Sequence, residues 1–287
     1  MRSRVTLSLM AALWVGGCGA SEHGAHDGEL PPSSASEEFD QGDAQGTEDA
    51  EVAVQERDSA LVDRGEDATA SIPLPQYDPG QIGPYALGHM EVVIQDHTNP
   101  ERTLATQVWY PASGFDANAL TLYVVGTMGP FELEYPSSYA QREVEVAEGL
   151  FPLIIFSHGY GGISTQSIDL CERLASHGFV VASAAHMGNT AEDDFNGTMV
   201  PREQALADRP RDVRSLIDTF TDEDTLPELL RGHIDGTQIG VSGHSFGGYT
   251  ALAAAAGHAA SAALPDERVS AIAPICPDSS EFSDEEL

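Results

Sequence analysis

The hydrophobic and polar positions after residue 80 follow two different periods. In "MEVVIQDHTNPERTLATQVWYPA" (90–112), Val92 and Ile94 alternate on one arm and Leu104, Thr106, Val108 and Tyr110 on the other, with "DHTNP" between them. That pattern predicts an antiparallel hairpin closed by a polar turn. Further on, "LFPLIIFSHG" (150–159), "FVVASAAH" (179–186), "IGVSGHS" (239–245) and "VSAIAPIC" (269–276) are continuous apolar runs, as expected of strands buried on both faces. Between the first two runs, Ile168, Cys171, Leu174 and Ala175 share one helical face that stops at Gly178. Between the second and third, Asp208 is positioned to cap and Pro210 to open a helix, with Val213, Leu216, Ile217 and Phe220 at i, i+3, i+4 and i+7. Strand and helix alternating in this way predict an α/β domain: a doubly wound, mostly parallel sheet with an antiparallel N-terminal hairpin. The stretch 113–146 yields only a short strand at Tyr123–Val125, and 187–209 reads as a mobile rim loop.

Composition separates the rest of the chain from this domain. Of 287 residues, 41% are hydrophobic, enough for a sizeable core. The charge is lopsided: 46 acidic residues stand against 13 basic ones, all arginine, for a net charge of -33. Such a surface repels phosphate backbones and excludes nucleic acid as a partner. From Gly19 to Pro79, sixteen acidic residues face only Arg57 and Arg64 and no sustained period emerges. Residues 19–80 are therefore expected to form a disordered acidic linker, unable to bury enough apolar surface to offset ordering entropy. Before it, Arg2 and Arg4 lead an apolar run from Val5 to Val15, the length of an export-signal core and too short to span a bilayer easily. The run ends in "VGGC" and resembles a bacterial lipobox, which implies a signal peptide over 1–18, a lipid on Cys18 and anchoring in the cell envelope. The alternative is an ordinary secretory signal cut near Ala20. Cys171 and Cys276 are expected as buried thiols, without a disulfide.

The chemistry centres on "GHSFGG" (243–248), a serine between glycines where a predicted strand turns into a small-residue helix. In that context G-x-S-x-G is a nucleophile elbow: glycine at 243 and 247 allows the strained turn to pass its neighbours and lift the Ser245 hydroxyl above the sheet. A second motif, "FSHGYGG" (156–162), closes the first buried strand, where such an enzyme draws the second donor of its oxyanion hole. The donors are then the backbone N–H groups of Phe246 and Tyr160, with His158 bracing the loop.

These motifs, with "RLASHGFVVAS" (173–183), "AAHMGNT" (184–190), "RPRDVRSLID" (209–218), "IGVSGHSFGGYTAL" (239–252) and "VSAIAPICPDSS" (269–280), make the domain from residue 81 onward resemble the α/β-hydrolase superfamily. The resemblance is to the branch with platelet-activating-factor acetylhydrolase-like, dienelactone hydrolase-like and cutinase-like polyester hydrolases. It implies a serine-dependent carboxylic-ester hydrolase acting on lipid, polyester or small ester substrates, with Ser245 as nucleophile and no cofactor. Family order also places an acid and then a histidine on loops after later strands. Here only His258 follows Ser245, and it is expected to face away from the hydroxyl; no base histidine is identifiable. Asp278 is the best acid on offer, although a loop or capping role competes. His244 is expected to pack locally and His186 to sit at a pocket rim. Residues 81–287 are thus read as an incomplete domain, truncated after about the sixth strand, with a catalytically inactive surface-anchored binding module as the alternative. Asp193 and Asp194 match no metal-binding spacing, and oligomeric state is left open.

Overall fold

The computed structural model describes residues 80–282 apart from 97, 129, 130, 260 and 281. The expected signal, lipidated Cys18 and acidic linker therefore lie outside the described residues, apart from Gly80. The N-terminal hairpin pairs β1 (Ala86–Gln95) with β2 (Thr103–Ala112), Ile94 opposite Leu104. Asp96 holds the turn between them, its Oδ1 accepting from the Thr98 N–H at 2.7 Å.

The segment 113–146, left mostly without structure by the sequence pattern, is a second long hairpin, β3 (Leu120–Met128) with β4 (Phe131–Arg142). Pro136 lies inside β4 opposite Leu122, next to a register shift. A proline that cannot donate to the ladder is tolerated at such an irregularity, and it masks the strand in the sequence. Tyr123 ties this hairpin down. Its hydroxyl accepts from Trp109 Nε1 at 2.8 Å and donates to Glu172 Oε1 at 2.7 Å, which also accepts from Ser137 Oγ at 2.6 Å.

The remaining strands are β5 (Phe151–Ser157), β6 (Val180–Ala184), β7 (Ile234–His244) and β8 (Val269–Ile275). The eight strands run β3-β4-β1-β2-β6-β5-β7-β8; β6, β5, β7 and β8 are mutually parallel, and β2 meets β6 antiparallel. Helix α1 (Ile168–Ser176) buries Cys171 and Ala175 against Trp109, Phe156 and Val181. The other face carries α3 (Arg202–Thr221) and α4 (Phe246–Ala256), which enclose Leu153, Ile155, Val241 and Ala251 with Val213, Leu216 and Phe220.

Four expectations need correction. The 187–209 rim loop contains a short helix, α2 (Ala191–Asn196), started by a Thr190–Asp193 capping box. Helix α3 begins at Arg202, with Pro210 inside it instead of at its start. A mid-helix proline removes the N–H that the carbonyl four residues earlier would accept. Here that carbonyl, of Leu206, accepts the Tyr249 hydroxyl at 3.0 Å instead, so the helix tolerates the proline. Strand β8 is not buried on both faces: Ser270 to Ala273 are exposed, because β8 stands last in the sheet order. Cys171 is buried but Cys276 is exposed, and no disulfide joins them. Among the described residues no helix is long and apolar enough to cross a membrane.

Candidate active site

Strands β5 and β7 are parallel neighbours, with Ser157 paired to Gly243 at their C-terminal ends. Two turns therefore leave the sheet side by side: the loop after β5, beginning His158-Gly159-Tyr160, and the elbow from β7 into α4. At the elbow Ser245 has φ 55° and ψ -116°, a left-handed backbone that L residues seldom adopt. The surroundings enforce it. A Cβ on Gly247 would lie 1.9 Å from the Ser157 carbonyl oxygen, and one on Gly243 would lie 2.5 Å from the same oxygen. The Ser245 N–H donates to the Ile275 carbonyl at 2.9 Å, and its own carbonyl accepts from the Asp278 N–H at 3.0 Å. With the main chain held on both sides, the half-buried side chain stands at the start of α4.

The two residues expected to supply oxyanion donors, Tyr160 and Phe246, are neighbours there. The Tyr160 and Phe246 rings touch edge to face at 5.4 Å. Among the described residues, neither the Tyr160 N–H nor the Phe246 N–H donates to a protein acceptor. Such unspent main-chain donors can stabilise charge developing on a carbonyl oxygen.

Beneath the loop lies a buried polar network that the sequence reading missed. Arg102 forks onto Asp212, Nε to Oδ1 at 2.6 Å and Nη2 to Oδ2 at 2.7 Å. Asp212 Oδ2 also meets His186 Nδ1 at 2.7 Å, and His186 Nε2 meets the Ser157 hydroxyl at 2.8 Å. These partners assign a neutral His186 with its proton on Nδ1. Ser157, His186 and Asp212 have the connectivity of a catalytic triad, yet all three are buried to within 1% exposure and the serine faces no open space. Burial, with Arg209 and Arg102 adding to it, holds His186 well below the usual histidine range. His186 is therefore not at a pocket rim: its ring is drawn inward by Asp212 and Ser157. The signal available in the sequence was the charged pair Arg209 and Asp212 on the apolar face of the helix that carries Val213 and Leu216.

His158 lies in the same network, its Nε2 accepting the His186 N–H at 3.2 Å and its Nδ1 meeting the Gly159 carbonyl at 2.7 Å. The expected bracing contact is present. His244 Nδ1 meets Gln166 Nε2 at 3.2 Å, while Gln166 Oε1 accepts the Gly159 N–H at 2.7 Å. His258 is not in the helix leaving the elbow but follows it, past the Gly257 cap, and its Nδ1 meets the Tyr249 and Ser261 hydroxyls at 3.0 and 2.9 Å. The Asp278 carboxylate is engaged by Arg202 Nη2 at 2.6 Å and by the Ser280 hydroxyl at 2.7 Å, not by a histidine. The loop alternative describes its contacts. Among the described residues no histidine hydrogen-bonds to the Ser245 hydroxyl, and no cluster of three metal-ligating side chains occurs.

The buried histidines set a pH dependence. Burial lowers His89 to about 4 and holds His158 and His186 well below 6.5, whereas burial lifts Asp212 to about 6. The folded protein thus binds fewer protons at these histidines than the unfolded chain does, so stability falls as pH drops below about 6.5. Asp212 and Glu172, both lifted by burial, act in the opposite sense at lower pH and offset part of this loss. Thermal unfolding followed by circular dichroism is expected to show the midpoint falling as pH is lowered from 6.5 to 5. A flat profile between pH 6.5 and 5 would contradict neutral burial of these rings.

A parallel sheet with a serine on a strained strand-to-helix elbow, beside a glycine-rich loop from the neighbouring strand, is the arrangement of the α/β-hydrolase fold. Parts of the chain are similar to known proteins. Residues 128–225 match the family model for platelet-activating factor acetylhydrolase, isoform II. A platelet-activating factor acetylhydrolase of Canis lupus familiaris is 32% identical over 144 residues, covering 36% of this chain and 32% of the relative. A bis(hydroxyethyl) terephthalate hydrolase of Streptomyces coelicolor is 30% identical over 145 residues, covering 50% and 39%. The matches span about a third of the length of these curated relatives. Among solved structures, a ferulic acid esterase from Streptomyces cinnamoneus matches with a TM-score of 0.44 at 22% identity, over 61% of this chain and 56% of that one. Over part of its length the chain is thus similar to esterases, on a fold of the α/β-hydrolase arrangement.

Proposed function

We propose that the protein is a serine-dependent carboxylic-ester hydrolase working through an acyl-enzyme. Ser245 attacks the acyl carbon, the N–H groups of Phe246 and Tyr160 receive the oxyanion, the alcohol leaves, and water releases the acid. Among the described residues no general base hydrogen-bonds to the Ser245 hydroxyl. The observation that supports the reading is the strained elbow at Ser245, next to Phe246 and near Tyr160, whose main-chain N–H groups are unspent on protein acceptors among the described residues. The substrate class is an ester of a lipid, polyester or small molecule, in keeping with the acetylhydrolase and terephthalate hydrolase names of the relatives. We propose further that the protein is exported and tethered outside the cytoplasm by a lipid on Cys18. Turnover of p-nitrophenyl acetate and butyrate by the full-length protein, with an initial burst of phenol equal to the enzyme concentration, is the expected result. A second reading, a binding module of the same fold, is favoured by the lack of a histidine on the Ser245 hydroxyl among the described residues. Absence of both turnover and burst would select it.

A further inference from the structure

Arg209 is among the largest fully buried side chains of the protein, at 0% exposure. Its guanidinium does not pair closely with Asp212, which is taken up by Arg102 and His186. Instead Nη1 donates to the His158 carbonyl, Nη2 to the Gly159 carbonyl at 2.9 Å, and Nε to Asn189 Oδ1 at 2.9 Å. Its Cζ also lies 4.8 Å from the centre of the Phe246 ring. One buried cation therefore touches the carbonyl just before Tyr160 and the ring of Phe246.

The Gly159 carbonyl and the Tyr160 N–H belong to a single peptide unit. No peptide bond among the described residues is cis, and in a planar trans peptide the C=O and N–H point in opposite directions. Fixing the Gly159 oxygen on an inward guanidinium therefore aims the Tyr160 N–H outward, away from the core. The Gly159 N–H is fixed independently by Gln166 Oε1, so the planes on both sides of Gly159 are set. We propose that Arg209 is a positioning residue that sets the direction of the Tyr160 N–H through the Gly159 carbonyl and braces Phe246 through its ring. The proposal rests on the esterase reading above. Lysine keeps the charge but lacks the planar fork that reaches two carbonyls and an amide oxygen together.

The test is the kinetics of Arg209→Lys in the full-length protein with p-nitrophenyl butyrate. Losing one oxyanion donor costs about 100- to 1000-fold in kcat, and a misaimed donor is expected to cost roughly 10- to 100-fold with KM within twofold of the parent. A merely structural arginine would lower the thermal midpoint and leave kcat per folded molecule unchanged, and that result overturns the proposal. Should the lysine variant not fold, Asn189→Ala serves: it frees the guanidinium from the amide that orients it and is expected to lower kcat several-fold at constant KM. Unchanged kcat in Asn189→Ala would then reject the inference. Ser245→Ala, run alongside, separates the two levels. Activity surviving in that variant defeats the esterase reading itself, whereas its loss beside an unimpaired Arg209→Lys defeats only the positioning role.

Discussion

Ser245→Ala is expected to lower kcat for p-nitrophenyl esters by at least about four orders of magnitude, with the thermal midpoint changed by no more than a few degrees. The size follows from the role: removing a catalytic serine in a comparable hydrolase costs on the order of a millionfold in kcat, and only the background from binding and oxyanion donors remains. The small effect on stability follows from geometry. Ser245 holds its place through its backbone, donating to Ile275 and accepting from Asp278, and its side chain makes no hydrogen bond to the protein among the described residues. Steady-state kinetics with circular dichroism on the same preparation measure both quantities. A variant with more than a tenth of the parent kcat would remove Ser245 from the chemistry.

Gly247→Ala should harm both stability and activity. The added Cβ would sit 1.9 Å from the backbone oxygen of Ser157 and 2.9 Å from that of His158, and backbone cannot swing aside as a flexible side chain can. Either α4 or the end of β5 must move, which places the loss at about 3 kcal/mol or more. Because that same strand end carries the His158-Gly159-Tyr160 loop, a shift near 1 Å is expected to lower kcat about 100-fold as well. Gly114→Ala is the matched control: its Cβ meets nothing within 4 Å, and its stability should stay within about 0.5 kcal/mol of the parent. Urea unfolding of the two variants checks the contrast, and equal midpoints would refute the steric account of the elbow.

The parts of the fold that could be read from the sequence were those in which a single period runs uninterrupted. Val92, Ile94, Leu104 and Val108 alternate because one hairpin face is buried, and "PLIIFS" and "VVASA" run apolar because parallel strands are covered on both sides. The β3–β4 hairpin broke that rule through Pro136 and the charged Glu132 and Glu134, and its anchor is a buried polar contact, Tyr123 on Glu172, which hydropathy cannot register. The start of α3 was misplaced because Pro210 has the preference of a first-turn residue. The Tyr249 hydroxyl that makes it tolerable in mid-helix comes from 39 positions away. At the site, the elbow and the glycine-rich loop were legible because steric demand dictates residue type. What lies beneath them was not. His186 read as a rim histidine and Asp212 drew no reading at all, and only the sheet brings them to Arg102, 110 positions before Asp212. Local pattern reports which face is buried, not which buried charges meet.

The most direct measurement is the site of covalent capture. The full-length protein, treated with a fluorophosphonate and digested, is expected to yield one adduct by mass spectrometry, on the peptide containing Ser245, with loss of ester hydrolysis in proportion to labelling. An unmodified Ser245 peptide from protein that still hydrolyses esters, or an adduct on another residue that alone abolishes the activity, would contradict the account.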